Sequence, residues 1–276
     1  MRAPRQRGTP IDGARLRGWV NVFVSYAEQV SAGLVEAWLR QFAQRDRDLA
    51  ARTLDAVWFA SSHYIRAEFR GLLESLEGWS KNPGDRRGRW FFVPFSQSSG
   101  ESADAMVHAF RIGAGLTAAK YDSMFVYRRD LVSLRLTPND TVALIDDFAG
   151  SGNQACESWK LFSEIATGGQ RVILLLVAAT RVAIQKISAE TEMEPTCSKV
   201  LMDSDNIFHA RCRHFSDEEK TRLLEYCRRA SAGTPKGFGD AGLLVVFAHR
   251  CPNNSIPVLH ASNARWEGLF PRHFGH

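Results

Sequence analysis

The amino-acid sequence predicts an α/β protein in which a helical N-terminal region precedes a parallel sheet covered by helices. Two observations carry this prediction. Apolar residues recur at helical spacing over residues 30 to 76. Beyond residue 85, continuous apolar runs of strand length alternate with helix-like stretches, and such runs are typical of strands buried on both faces. Alternation of strands and helices favours a parallel sheet.

Length and composition agree with a folded globular protein. The 276 residues are 45% hydrophobic and 24% charged, which excludes a disordered chain and suffices for one large domain or slightly more. Turn residues collect at 80–85 and separate the two patterns. We therefore predict a basic arm and helical region over residues 1–80 and an α/β domain over residues 85–276.

Three helices are predicted in the first 80 residues from apolar positions three or four residues apart. Asp46 or Asp48 would cap the second of them. The apolar positions are Val30, Leu34, Val35, Trp38, Leu39 and Phe42 in the first helix, Leu49, Leu54, Val57 and Trp58 in the second, and Tyr64, Ile65, Phe69, Leu72, Leu73 and Leu76 in the third.

Four apolar runs beyond residue 85 predict buried strands, and helix-like stretches lie between the first three. The runs are Trp90 to Phe95, Val142 to Ile145, Val172 to Val177 and Leu243 to Phe247, and the helix-like stretches are Ala103 to Leu116 and Ala155 to Ile165. Ser216 and Glu219 have the S-x-x-E spacing of a capping box, which predicts the start of a later helix.

The net charge of +5 is concentrated at the N-terminus. Residues 1–18 hold five arginines (Arg2, Arg5, Arg7, Arg15 and Arg17) and one acid, so +4 of the total lies in a segment that we expect to be a frayed arm. The rest of the chain is almost balanced, which gives little support to a nucleic-acid-binding groove. Nucleic-acid binding through the arm stays an alternative.

Membrane, disulfide and transition-metal functions are not indicated. No apolar run approaches the ~18 residues of a membrane span, so we expect a cytoplasmic protein with no membrane partner. The five cysteines are odd in number without a C-x-x-C pair, which favours reduced, mostly buried thiols. The histidines show no H-x-x-x-H spacing of zinc ligands.

The sharpest functional signal lies at residues 142–154. The run Val142 to Ile145 ends in Asp146 and Asp147, and a small, glycine-containing loop then opens a helix. Ligands of parallel α/β sheets bind beyond the carboxyl ends of the strands, and the amides of such a loop suit a phosphate. Two acids beside a phosphate require a divalent cation or sugar hydroxyls. The pattern predicts a pocket for a ribose phosphate with Mg²⁺.

The same residues also allow a purely structural interpretation. Ser151 and Gln154 have the S-x-x-Q spacing of a capping box, which stabilises a helix start without any ligand.

The segment resembles the ribose-phosphate loop of type I phosphoribosyltransferases: four apolar residues, two acids, two variable residues, then small residues around a Thr/Ser-Gly core. The resemblance implies a type I phosphoribosyltransferase-like core. It gives Asp146 and Asp147 catalytic and metal-binding roles at the ribose diol and its Mg²⁺. The 5′-phosphate would contact Gly150, Ser151, Gly152, Asn153 and Gln154. The family usually ends this loop in Gly-Thr, whereas this sequence has Asn153 and Gln154.

A second strand, small-residue loop and helix occupy residues 91–102, where these transferases bind pyrophosphate. The resemblance assigns the pyrophosphate contacts to Ser98, Ser99 and Gly100. A serine-rich turn is the alternative. Glu101 departs from the family pattern, because a carboxylate there opposes an anion.

Basic residues lie between the two loops, where catalytic members of the family close a loop over the substrate. Lys120, Arg128 or Arg129 would stabilise the departing pyrophosphate, on which charge develops in the transition state. Exposed basic residues on an edge strand are the alternative interpretation.

Three segments of the C-terminal block resemble one particular family of phosphoribosyltransferase-like proteins. Residues 237–247, the run Pro-Asn-Asn-Ser-Ile-Pro at 252–257, and residues 266–272 resemble the bacterial conflict-system phosphoribosyltransferase-like family, PRTase-CE, over most of residues 30–272. Asn253 and Asn254 would read a base or partner, or form a turn. Trp266, Phe270 and Pro271 are expected to fasten the C-terminus to the core.

The resemblance implies an effector or regulator in antiviral defence that binds phosphoribosyl pyrophosphate or a nucleotide and has a protein partner from the same locus. If it is an enzyme, the reaction is displacement at the ribose anomeric carbon with loss of pyrophosphate, which needs positioning and electrostatics rather than a covalent nucleophile. A non-catalytic nucleotide sensor is the main alternative. We also predict that Gly100 and Gly152 lie at the same end of the sheet.

Overall fold

The structure is a computed structural model that describes residues 11–95 and 102–272. The chain forms two compact units. The first comprises the described residues of Met1–Ser61 and Asp203–His276, and the second comprises those of Ser62–Met202. The predicted domain boundary at residues 80–85 falls inside the second unit. The division into compact units does not show which segments fold separately, so the two domains stay a prediction.

Helices and strands alternate through the middle of the described chain. The α-helices are α1 (Gly13–Phe23), α2 (Ala32–Arg40), α3 (Arg47–Asp55), α4 (Ser62–Ser75), α5 (Ser102–Gly113), α6 (Asn153–Ser163), α7 (Arg181–Glu190) and α8 (Asp217–Ala230). The strands are β1 (Trp58–Ala60), β2 (Trp90–Pro94), β3 (Thr141–Ala149), β4 (Arg171–Thr180), β5 (Glu194–Leu201), β6 (Val245–Phe247), β7 (Ser262–Asn263) and β8 (Trp266–Glu267).

The second unit confirms the α/β prediction. Its four strands are all parallel and lie in the order β2-β3-β4-β5. Every residue of β4 between its two ends is buried, as expected for a strand covered on both faces. The polar, half-buried strand β5 lies at one side of the sheet, and its mixed sequence gave no apolar run to predict it. Strand β3 is flanked on both sides and is therefore central.

The first unit is built around aromatic side chains and a two-stranded parallel pair. Strand β1 pairs with β6, with Trp58 opposite Val245 and Ala60 opposite Phe247. The prediction that Trp58 belongs to a helix is wrong, because α3 ends at Asp55 and the Trp58 amide donates to the Leu244 carbonyl at 2.8 Å. For Trp58, strand pairing with a segment distant in sequence determines the local structure, although its apolar neighbours have helical spacing.

The expected frayed arm is wrong for residues 13–18, which belong to α1. The Asp12 carboxylate caps this helix by accepting the amides of Ala14 and Arg15. Arg15 forms an ion pair with Asp55 at 2.5 Å, and the indole of Trp19 donates to the same carboxylate at 2.9 Å. The remaining predicted arm residues Arg2, Arg5 and Arg7 lie outside the described residues.

Two C-terminal predictions are confirmed. Ser216 and Glu219 form the complete capping box at the start of α8. The C-terminal segment is fastened to the core of the first unit: Phe270 is fully buried with its ring centroid 4.9 Å from that of Phe23, and the Tyr26 hydroxyl donates to the Pro271 carbonyl at 2.6 Å.

All five cysteines are free thiols, and Cys197 is half-buried while the other four are buried. Burial raises the pKa of the Cys251 thiol to about 12, which keeps it protonated and unreactive. Within residues 11–95 and 102–272, no helix combines the length and the apolar character required to cross a membrane.

Candidate functional site

The two predicted acids lie on the central strand, near its carboxyl end. Strand β3 continues through Asp146 and Asp147 to Ala149, with Asp146 opposite Leu176 of β4. The Asp146 carboxylate accepts the Asp147 amide at 3.0 Å. The prediction of a central strand that carries both acids toward its carboxyl end is confirmed, although the strand is longer than its apolar run.

The two carboxylates differ in exposure. Consecutive side chains of a strand point to opposite faces of the sheet, so Asp146 and Asp147 occupy different surroundings. Asp146 is half-buried, whereas Asp147 is only 6% exposed. Asp146 is therefore the carboxylate that solvent or a ligand reaches more easily.

The loop after β3 depends on a glycine where the helix begins. Gly152 is the N-terminal cap of α6 and has φ of 77°, a conformation that favours glycine. A Cβ atom at this position would lie 3.1 Å from the Ala183 carbonyl oxygen and 3.3 Å from its Cα. Glycine thus allows close packing of the loop against α7. The prediction that this loop opens a helix is confirmed, since α6 begins at Asn153.

The capping-box interpretation of Ser151 and Gln154 is wrong. The N-cap residue is Gly152, which has no side chain that could accept a helix amide. The Ser151 hydroxyl instead accepts the Asn153 amide at 3.3 Å, two residues along the chain. Asn153 and Gln154 have exposed side chains. The glycine loop before α6 has the form of a loop that offers backbone amides to an anion.

Thr180 holds the loop in place and was missed by the sequence analysis. Its hydroxyl donates to the Gly150 carbonyl at 2.5 Å and accepts the Ala183 amide at 3.0 Å, so it also caps α7. A threonine directly after a long apolar run is a recognisable cap signal. Its contact with Gly150 has no such signal, because the two residues are 30 positions apart.

The predicted pyrophosphate contacts Ser98, Ser99 and Gly100 lie outside the described residues, as does Glu101. Because Gly100 is one of these residues, the expected placement of Gly100 and Gly152 at the same end of the sheet stays a prediction. The parallel pairing of β2 with β3 is described, with Pro94 opposite Ile145.

Lys120, Arg128 and Arg129 lie on two 3-10 helices, at 119–124 and 128–134, rather than on an edge strand. The Arg128 guanidinium donates to the Ser158 carbonyl at 2.5 Å and lies 5.0 Å from the Phe162 ring centroid. Burial lowers the pKa of Arg128. Lys120 and Arg129 are exposed. Arg128 thus packs against α6, and the other two basic side chains are accessible.

In the first unit, Asn253 and Asn254 form a turn. The Asn254 side-chain amide donates to the Phe238 carbonyl at 3.0 Å, and the Phe238 amide donates to the Asn253 carbonyl at 2.7 Å. Asn254 is buried, so its amide closes a loop of its own unit.

Magnesium fits the donor set at β3, although the described residues contain no cluster of three or more potential ligands among histidine, cysteine, aspartate and glutamate. Mg²⁺ takes oxygen ligands, keeps several waters and commonly uses one or two carboxylates together with substrate phosphates. Because the two side chains point to opposite faces of the sheet, the more exposed Asp146 is the carboxylate that would hold the ion, which would supply charge neutralisation for a bound phosphate.

The four-stranded parallel sheet and its helices define an α/β protein, and the family model gives its class. The PRTase-CE family model matches residues 35–272, and the chain belongs to this family, a phosphoribosyltransferase-like family of conflict systems. No curated protein matches the chain. Among solved structures, the crystal structure of TT1426 from Thermus thermophilus matches with 18% identity and a TM-score of 0.21, over 44% of this chain and 57% of that chain.

Proposed function

We propose that the carboxyl end of β3 binds a ribose-phosphate ligand, phosphoribosyl pyrophosphate or a nucleotide, together with Mg²⁺. One observation carries the proposal. The central strand carries two carboxylates near its carboxyl end and is followed by a short loop, in which Gly152 at positive φ is the N-cap of α6. This arrangement combines acceptors for sugar hydroxyls or Mg²⁺ with backbone donors for a phosphate.

Each part of the site has a distinct task in this proposal. Asp146, the more accessible acid, contacts the ribose hydroxyls or the ion, and Asp147 supports it from within the sheet. The 5′-phosphate contacts residues 150–154 through their amides, the Ser151 hydroxyl and the exposed amide side chains of Asn153 and Gln154. The loop keeps its shape because Thr180 and Gly152 fasten it to α7.

If the protein is a transferase, an acceptor atom forms a bond to the ribose anomeric carbon while the bond to pyrophosphate breaks and pyrophosphate leaves with the electron pair. The site then contributes positioning and electrostatic stabilisation. Ser98, Ser99 and Gly100 would contact the pyrophosphate, and the accessible Lys120 and Arg129 are better placed to meet a ligand than Arg128.

A non-catalytic nucleotide sensor is the second candidate. Asn153 and Gln154 stand where the resembling transferases have Gly-Thr, and both side chains are exposed at the helix start. They replace a hydroxyl by amides, which keeps hydrogen bonding but changes its geometry. A sensor would bind the same ligand and signal to a protein partner of a bacterial defence system.

The test is a ligand panel followed by product analysis. Thermal shifts are measured with phosphoribosyl pyrophosphate, ribose 5-phosphate and nucleotides, each with and without Mg²⁺. We expect stabilisation by at least one of these ligands that depends on Mg²⁺. Release of pyrophosphate in the presence of candidate acceptors then indicates a transferase, whereas binding without release indicates a sensor. No stabilisation by any of them contradicts the proposal.

A further inference from the structure

A cavity of about 500 Å³ lies along the outer edge of β2, and Pro94 explains why it exists. Phe125 forms one parallel bridge with Phe92, and the Val126 amide donates to the Phe92 carbonyl at 3.2 Å. The next bond of a parallel ladder would run from the amide of residue 94 to the Val126 carbonyl. Proline has no N–H, so the pairing stops and the cavity opens beside it.

One wall of the cavity is a stripe of α5 that carries charge. Asp104, His108 and Arg111 lie on one helix face, at spacings of four and three residues. Asp104 is in the first turn of α5. Arg111 forms an ion pair with Asp122. No lysine or arginine of the described chain forms an ion pair with Asp104, so the described lining residues, with His108 neutral, carry a formal charge of −1.

The opposite wall is aromatic and already attracts guanidinium groups. Tyr127 is 53% exposed, and the Arg129 guanidinium lies 5.4 Å from its ring centroid. The Arg111 guanidinium lies 4.7 Å from the ring centroid of Phe125. A flat cation can place its face on such a ring while its edge donates two parallel hydrogen bonds to a carboxylate, and an ammonium has neither the flat face nor the paired donors.

We propose that this cavity binds a planar cation of the guanidinium or amidinium type, either as a free small molecule or as an arginine side chain of a peptide. Asp104 accepts its N–H groups, and Tyr127 provides the stacking surface. The cavity is lined by none of residues 146–154, so this binding is independent of the ribose-phosphate site.

Three isosteric probes test the charge requirement by calorimetry: benzamidine, a planar cation; benzamide, which is neutral; and benzoate, an anion. We expect benzamidine to bind at least about tenfold more tightly than benzamide, and benzoate not to bind, because the cavity is negative. Equal binding of the three probes, or tighter binding of benzoate, overturns the proposal.

Single substitutions locate the site on the folded protein. Asp104→Asn should weaken benzamidine binding about tenfold and Tyr127→Leu about fivefold, since the first removes the charge and the second the aromatic face. Asp85→Asn removes an exposed carboxylate that does not line the cavity and should change nothing. The Asp146→Asn, Asp147→Asn double variant should also bind benzamidine normally. Full binding by Asp104→Asn overturns the proposal.

Agmatine and two tripeptides distinguish the sources of the cation. We expect agmatine to bind in either case, and Gly-Arg-Gly to bind only if a peptide-borne guanidinium reaches the cavity. Gly-Lys-Gly should bind at least about fivefold more weakly than Gly-Arg-Gly or agmatine, because its ammonium is not planar. Binding of Gly-Lys-Gly as tight as that of agmatine overturns the proposal.

Discussion

The two ends of β3 both carry aspartates, and they differ in what surrounds them. Asp140, directly before the strand, is 3% exposed and accepts hydrogen bonds from the Arg89 side chain at 2.7 and 2.9 Å and from Thr137 at 2.7 and 3.0 Å. Asp146, near the other end, leads into a backbone loop. The donors around Asp140 make it a structural residue, whereas the ligand-binding role that we propose for Asp146 rests on its place near a glycine loop at the carboxyl end.

Arginine pairs recur at the amino end of the sheet. Arg171, the first residue of β4, forms an ion pair with Glu194, the first residue of β5, at 2.6 Å. With Arg89 and Asp140, this pair neutralises charge where the strands begin. We interpret the amino end as the structural end of the sheet and the carboxyl end as its functional end.

The largest expected effect is on stability, at the amino end. Asp140→Ala removes a buried acceptor of several hydrogen bonds and should lower the free energy of unfolding by about 3 kcal/mol. Urea unfolding followed by circular dichroism measures it. Asp85→Ala, at an exposed position of the same unit, is the control and should cost less than about 0.5 kcal/mol. Equal losses of unfolding free energy in Asp140→Ala and Asp85→Ala would contradict a structural role of Asp140 at the amino end of the sheet.

The second expected effect is on acid sensitivity. Hydrogen bonds from Arg89 lower the pKa of the Asp140 carboxyl to about 2, whereas an unfolded aspartate titrates near 4. Asp140 therefore stabilises the fold above about pH 4, and up to about 2 kcal/mol is lost as the pH falls through 2. Urea unfolding between pH 5 and pH 2 should show a steeper loss for the wild type than for Asp140→Asn. A constant difference between the two proteins across this range would refute the linkage.

The third effect lies in the loop at the carboxyl end. Gly152→Ala places a Cβ at positive φ and close to the Ala183 carbonyl, which should cost about 1.5 kcal/mol. The displaced loop should also lose the ligand-induced thermal shift. Gly71→Ala is the control, because a Cβ at Gly71 meets nothing within 4 Å, and it should leave that shift intact. A stable Gly152→Ala variant with full ligand binding would show that the loop geometry is irrelevant.

The sequence predicted those features that are local along the chain. The apolar runs predicted β2, β3 and β4, and the adjacency of two acids to glycines identified residues 146–152 as a candidate binding site. Features that depend on distant residues were missed. Strand β1 pairs with a segment more than 180 residues away, and Asp140 meets its arginine across 51 residues.

Strand β5 was missed for a different reason. It lies at the side of the sheet and is only half-buried, so its sequence mixes polar and apolar residues without a clear period. The difference in exposure between Asp146 and Asp147 follows from strand geometry only once both acids are known to lie inside β3 rather than after it.

The most direct test of the ligand-binding role uses Asp146→Asn together with Asp147→Asn, which keeps shape and hydrogen-bonding capacity but removes the charge. Calorimetry of wild type and double variant is done with and without phosphoribosyl pyrophosphate and Mg²⁺, with Asp85→Asn and Asp130→Asn combined as the matched control. We predict that the double variant loses the Mg²⁺-dependent stabilisation by the ligand, whereas the control variant keeps it. A lower melting temperature of the free variant, with no ligand effect in the wild type, would contradict the account and make these acids structural, like Asp140.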